Sequence, residues 1–200
     1  MELIVIAKPT IFKQESLLIN QLFEAGLAVF HLRKENADEA AYRDIIEGIL
    51  PEYHPQIALH HYHTLAKDYN INRIHHTESF RKNRGEQELP QNFIFSTSIH
   101  QLSAIGAIQQ YKYSFFGPVF NSISKPGYQS VIPSGFQLEK KTGQPKIIAL
   151  GGIGIKEIGV VKEMNFDGVA LLGSIWNNLS EALNTFKKAQ LECQSYTQNL

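Results

Sequence analysis

The residues best suited to chemistry lie in one stretch, Gly117-Pro118-Val119-Phe120-Asn121-Ser122-Ile123-Ser124-Lys125-Pro126-Gly127. Ser122, Ser124 and Lys125 offer two hydroxyls and one cation within four residues, a set that suits a phosphate or diphosphate. The same composition also builds an ordinary polar turn, so both readings stand. Further on, Gly151-Gly152 and Gly173-Ser174 each close an apolar run. Glycine lets an anion approach bare backbone N–H groups, and tight turns use it for the same freedom. Gly-Gly-Ile-Gly at 151–154 lacks the spacing of a dinucleotide fingerprint. His31 and Arg33 follow another apolar run. His31 is either a general acid/base with a pKa near neutrality or a ring packed among its neighbours. Arg33 either binds an anion or pairs with Glu35. His60, His61, His63, His75 and His76 crowd the ends of two more runs, and Ser96 and Ser98 a third. The histidines are read as ligands to a transition metal such as zinc with Glu78, as protonated holders of a diphosphate, or as loop residues bonded to backbone.

The elements that must position these groups follow from the hydrophobic pattern. Residues 3–7, 27–32, 56–59, 72–75, 93–96, 113–116, 146–150 and 168–172 are short apolar runs of strand type. Between them, 15–25 carries Leu17, Leu18, Leu22 and Phe23 at helical spacing and ends at Gly26. Tyr42, Ile45, Ile46 and Ile49 mark a second helix from Asp38. Shorter helices are expected around Leu65 and Ala66 and over 100–110, 134–141, 156–163 and 180–190. Segment 78–90, basic and then acidic, reads as the least structured, although a fourth helix belongs there. Strand and helix in alternation argue for parallel strands joined by crossover helices. Eight such units point to an α/β chain closed as a compact, single-domain (β/α)8 TIM barrel over 1–200, with a doubly wound open sheet as the rival. In such barrels the loops after the strands carry the reactive groups, and the candidates above fall there. Tyr113, Phe115, Phe116 and Phe120 are expected in the core, Trp176 and Phe186 against the last helix, and Asp167 in a turn.

Composition narrows the function classes. Lys plus Arg equals Asp plus Glu at 19 each, so no global field draws nucleic acid or acidic lipid, and any anion site must be local. Cys193 is the only cysteine, which excludes an internal disulfide and a cysteine-based zinc site. The short apolar start lacks the form of a signal peptide, and no run has membrane-spanning length. A cytoplasmic protein acting on small-molecule phosphates is expected, with no nucleic acid or membrane partner and a homo-oligomer left open.

Residues 146–177, with Ile148-Ala149-Leu150-Gly151-Gly152-Ile153 and Phe166-Asp167-Gly168-Val169-Ala170, closely resemble the C-terminal third of the thiamine-phosphate synthase and thiazole tautomerase family. Gly117-Pro118-Val119-Phe120 through Ser124-Lys125-Pro126-Gly127 resembles its central signature. The resemblance implies a β/α barrel that joins hydroxymethylpyrimidine diphosphate to thiazole phosphate, releases pyrophosphate and uses Mg²⁺. It implies dissociative chemistry: the diphosphate leaves and the thiazole nitrogen captures a pyrimidine carbocation. By the same resemblance Ser122, Ser124 and Lys125 fall on the diphosphate and thiazole-phosphate loop, Gly152 on a thiazole-phosphate glycine, and Gly173 and Ser174 beside it. Arg33 falls on the arginine of a Gln-Leu-Arg-x-Lys motif, and Ser98 near a serine of the pyrimidine site. The catalytic candidates it implies are Lys125, Arg33 and His31. The chain departs from the family pattern at several places. His31 replaces the motif glutamine, and Glu35 its lysine, with Lys34 adjacent. His60 and His61 occupy the Asn-Asp pair after the third strand, and Ser79 and Phe80 the second magnesium aspartate. The tautomerase branch also lacks those aspartates, but places histidine where this chain has Pro118.

Overall fold

The structure, a computed structural model, describes residues 1–85, 87–120, 132–133 and 135–195. Eight strands run in order β1 (Glu2–Ile6), β2 (Val29–Leu32), β3 (Ile57–Leu59), β4 (Arg73–His76), β5 (Ile94–Ile99), β6 (Tyr113–Phe116), β7 (Lys146–Leu150) and β8 (Gly168–Leu171). Each pairs in parallel with the next, and β8 returns to β1 with Leu3 opposite Val169. The barrel is closed, as the alternating pattern implies, and the open-sheet rival is excluded.

Successive side chains on a strand face opposite ways, and this divides the core in two. Val5, Phe30, Leu59, Phe116 and Val169 point outward into the large layer under the helices. Ile4, Ile6, Tyr113, Phe115, Ile148 and Ala170 form a separate, smaller cluster inside the barrel. The helices are α1 (Glu15–Glu24), α2 (Glu39–Glu47), α3 (Leu65–Asp68), α4 (Glu78–Arg84), α5 (Glu157–Glu163), α6 (Gly173–Trp176) and α7 (Ala182–Ser195). In α2 the Asp38 carboxylate accepts a bond from Ala41 N at 2.9 Å, capping a first turn that otherwise has bare N–H groups. Tyr42, Ile45 and Ile46 are its buried stripe, each contributing about 1.5–3 kcal/mol by leaving water. α7 buries Ala182, Phe186, Ala189 and Cys193 along one face. Among the described residues no helix is long and apolar enough to cross a membrane.

Four local expectations need correction. Segment 78–90 does hold the fourth helix, in its first half. Thr77 Oγ1 accepts from Phe80 N at 3.1 Å, and Glu78 at the start with Arg81, Lys82 and Arg84 at the end complement the helix dipole. No helix forms over the described residues of 134–141. There Leu138 N donates to Met164 O at 2.8 Å and Asn165 Nδ2 to Leu138 O at 2.8 Å, which ties the segment to the turn after α5. Residues 173–176, read as a bare strand end, form α6. It is anchored by Trp176, whose indole N–H donates to Ile6 O at 2.6 Å. The helix expected over 100–110 is a 3-10 helix, Leu102–Ile108.

Candidate functional site

The interior of the barrel is unequal. On the side of β1, β6, β7 and β8 it is apolar, built from Ile4, Ile6, Phe115, Ile148 and Ala170. On the side of β2 to β5 the same inward positions carry His31, His60, His75, Ser96 and Ser98. Strand alternation puts them there: Phe30 and Leu32 flank His31 and face the helices, Leu59 precedes His60, and Ile74 precedes His75.

These groups form one network. His31 Nδ1 lies 2.8 Å from His60 Nε2, and His31 Nε2 lies 2.6 Å from Tyr113 Oη. The ring nitrogens of His75 meet Ser96 Oγ at 2.9 Å and Ser98 Oγ at 3.1 Å. The His60 and His75 rings stack with centroids 3.9 Å apart. His31, His60 and His75 are 0%, 7% and 1% exposed, so protonation would bury charge without a counter-ion. Burial, helped by the Arg73 guanidinium, lowers His31 to about 3. Burial and the neighbouring imidazoles hold His60 and His75 well below the ordinary histidine range. Of the two readings open for His31, its burial supports the packed ring over the near-neutral acid/base, and it stays uncharged at ordinary pH.

The glycines lie on the apolar side. Gly151 and Gly152 have φ of 98° and 67°, a left-handed backbone that favours glycine. A Cβ on Gly151 would sit 2.9 Å from Pro118 Cα, so the turn packs directly on the loop after β6. Val119 N donates to Leu150 O at 3.0 Å and Phe120 N to Gly151 O at 3.1 Å. A ring nitrogen of His100 donates to Gly117 O at 2.8 Å. The chain therefore enters 121–131 from a pinned point. Ser122, Ser124 and Lys125 lie in that stretch, outside the described residues. On the next strand, Gly173 and Ser174 begin α6, and the buried Ser174 hydroxyl has no hydrogen-bond partner among the described residues.

The remaining candidates scatter. Arg33 is one residue past β2, and its guanidinium reaches Glu35 at 3.3 Å with both side chains partly exposed. Lys34 does not take up the neighbouring lysine position at the mouth. Its ammonium is fully buried against Glu15 and donates to Lys8 O at 2.7 Å. His61 is exposed, and His76 faces outward with its ring against Phe80 and Phe95. The histidine cluster read from sequence is thus regrouped, losing His61, His63 and His76 and gaining His31. Strand parity was the signal that could have found it. Tyr113, read only as core, is the polar partner of His31.

The positions that the resemblance assigns to magnesium do not fit that ion. His60 is buried and uncharged, His61 is an exposed ring, and Ser79 and Phe80 are exposed on α4. Mg²⁺ prefers oxygen, mainly carboxylate and water. Glu78 nearby is engaged by Lys82 at 2.9 Å and Arg81 at 3.7 Å, and the Lys82 bond lowers its carboxyl. No step of the chemistry proposed for this chain therefore passes through magnesium. A cavity of about 480 Å³ opens at the strand-start end, lined among others by Glu2, Arg73, Lys112 and Lys146. It lies opposite the glycine turns, and barrels of this class work at the strand C-termini.

Comparison with known proteins gives a consistent picture. A family model described as thiamine monophosphate synthase matches residues 3–175. The crystal structure of a thiamine phosphate pyrophosphorylase from Bacteroides thetaiotaomicron superposes with a TM-score of 0.79 at 24% identity, covering 98% of this chain and 99% of that one. A thiamine phosphate pyrophosphorylase from Pyrococcus furiosus gives 0.76 at 16% identity, covering 97% and 96%. A 3-hexulose-6-phosphate synthase gives 0.62 at 12% identity, covering 96% and 99%. A search of curated proteins by sequence finds no match.

Proposed function

Because the chain belongs to the thiamine monophosphate synthase family, we propose that it binds thiazole phosphate beside Gly152 and Ser174. It then joins this substrate to hydroxymethylpyrimidine diphosphate with release of pyrophosphate. The observation that carries the reading is the buried Ser174 hydroxyl, without a partner among the described residues, after the strand that pairs with the one ending in a left-handed glycine turn. A buried polar group without a partner costs about 1–3 kcal/mol, and a phosphate oxygen would remove that cost.

In the reaction, the carbon–oxygen bond to the diphosphate breaks and both electrons leave on oxygen. The thiazole nitrogen lone pair then forms the new carbon–nitrogen bond. Negative charge grows on the pyrophosphate, and Arg33 and Lys125 are the cations this reading assigns to it. Gly152, Gly173, Ser174, Ser122 and Ser124 hold the phosphates. His31, His60, His75 and Ser98 wall the pyrimidine side.

The imidazoles at the family's magnesium positions favour a second reading, a thiazole tautomerase-like isomerase or a non-catalytic barrel for thiazole or thiamine phosphate. Purified protein given both substrates, with and without Mg²⁺, separates the two. Thiamine phosphate and pyrophosphate in equal amounts are expected. Thiazole phosphate bound without product would select the second reading, and proton exchange on the thiazole carboxylate would select the isomerase. Lys125→Ala should weaken pyrophosphate binding about tenfold, the scale of one charge-assisted hydrogen bond. Unchanged affinity would remove Lys125 from the site.

A further inference from the structure

We propose that His31, His60 and His75 form a three-imidazole site for a borderline transition-metal dication such as Zn²⁺, with one coordination position open. One nitrogen from each ring lies within 4.8 Å of the other two. His31 Nδ1 and His60 Nε2, 2.8 Å apart, share a proton at present, since two bare lone pairs would repel at that distance. Tetrahedral zinc at about 2.0–2.1 Å from each nitrogen spaces its ligands about 3.3–3.4 Å apart. An ion therefore replaces that proton with a separation of about half an ångström. The stacked His60 and His75 rings, 18° from parallel, need only turn to bring both edges onto one ion.

The outer nitrogens of His31 and His75 are already held, as metal-bound imidazoles usually are. His31 Nε2 meets Tyr113 Oη, and His75 has both Ser96 Oγ and Ser98 Oγ within reach. On loading, the shared proton moves to an outer nitrogen. His31 Nε2–H then donates to Tyr113, and one serine keeps the N–H of His75. No proton is lost from the site by this exchange. The donor set discriminates among metals, because imidazole suits zinc, copper and nickel, whereas magnesium prefers oxygen. The trio holds no carboxylate, and Arg33 and Arg73 lie near enough to act on it. The dication's charge is then offset by an anion in the fourth position, a hydroxide or a substrate oxygen.

The test uses chelator-treated full-length protein titrated with Zn²⁺ alone, and with Co²⁺ as a coloured substitute. One ion per chain is expected, with micromolar or tighter affinity and the intense visible bands of four-coordinate cobalt. His60→Ala and His75→Ala should each weaken binding at least a hundredfold, and Tyr113→Phe about tenfold. His61→Ala should change nothing, and millimolar Mg²⁺ should not compete. If the alanine variants do not fold by circular dichroism, His60→Gln and His75→Gln replace them. Absence of stoichiometric binding, or binding that survives loss of both His60 and His75, overturns the site. Neither result touches the thiazole-phosphate reading, because the titration contains no phosphate substrate.

Discussion

His31 responds to acid as a group shut away from water. Its ring faces His60, His75 and Tyr113, with the Arg73 charge nearby, and none of these welcomes a proton. Its folded pKa of about 3 lies below the ordinary 6.5. The unfolded chain therefore takes up the proton first as pH falls. This stabilisation is complete above about 6.5 and is lost progressively towards about 3, reaching about 2 kcal/mol at pH 5 for one ring. Metal-free protein should lose melting temperature between pH 7.5 and 5, and His31→Gln should flatten that slope. A wild-type profile that stays flat over this range would contradict the buried trio. The inward direction of His31 was legible from Phe30 and Leu32 on either side. The fate of Lys34 was not, because its partner Glu15 opens α1, nineteen residues earlier, and no local pattern links them.

At the scale of elements, the loops after β6 and β7 behave as one piece. A Cβ on Gly117 would lie 2.1 Å from Leu150 O, a backbone atom that cannot swing aside. Gly117→Ala should cost about 3 kcal/mol, at the upper end of ordinary overpacking, and should weaken thiazole phosphate binding by shifting the glycine turn. Gly106→Ala, where an added Cβ meets nothing within 4 Å, is the matched control for thermal melting. Equal melting temperatures for the two variants would mean that the loops are not locked together. Hydrophobic periodicity found all eight strands, two of them, Tyr113–Phe116 and Lys146–Leu150, to the residue. It failed at α6 and over 135–141. Four residues give too little periodicity to read, and the second segment is held by long-range bonds to Met164 and Asn165.

Over the whole molecule, closure of the barrel makes the division of labour possible. One half of its interior is apolar and ends in the glycine turns. The other half is imidazole and hydroxyl and ends near Arg33. The closed fold was legible because short strand runs alternate with helical stretches along nearly the whole chain. The half-polar interior was not, since which inward residues meet depends on register around the barrel, such as His75 beside Ser96. A crystal structure of the protein with thiazole phosphate bound tests this arrangement most directly. The phosphate should lie within hydrogen-bond distance of Gly152 N and Ser174 Oγ. A phosphate seated among Arg73, Lys112 and Lys146 at the opposite end, or a ligand that leaves Ser174 unpaired, would contradict the account.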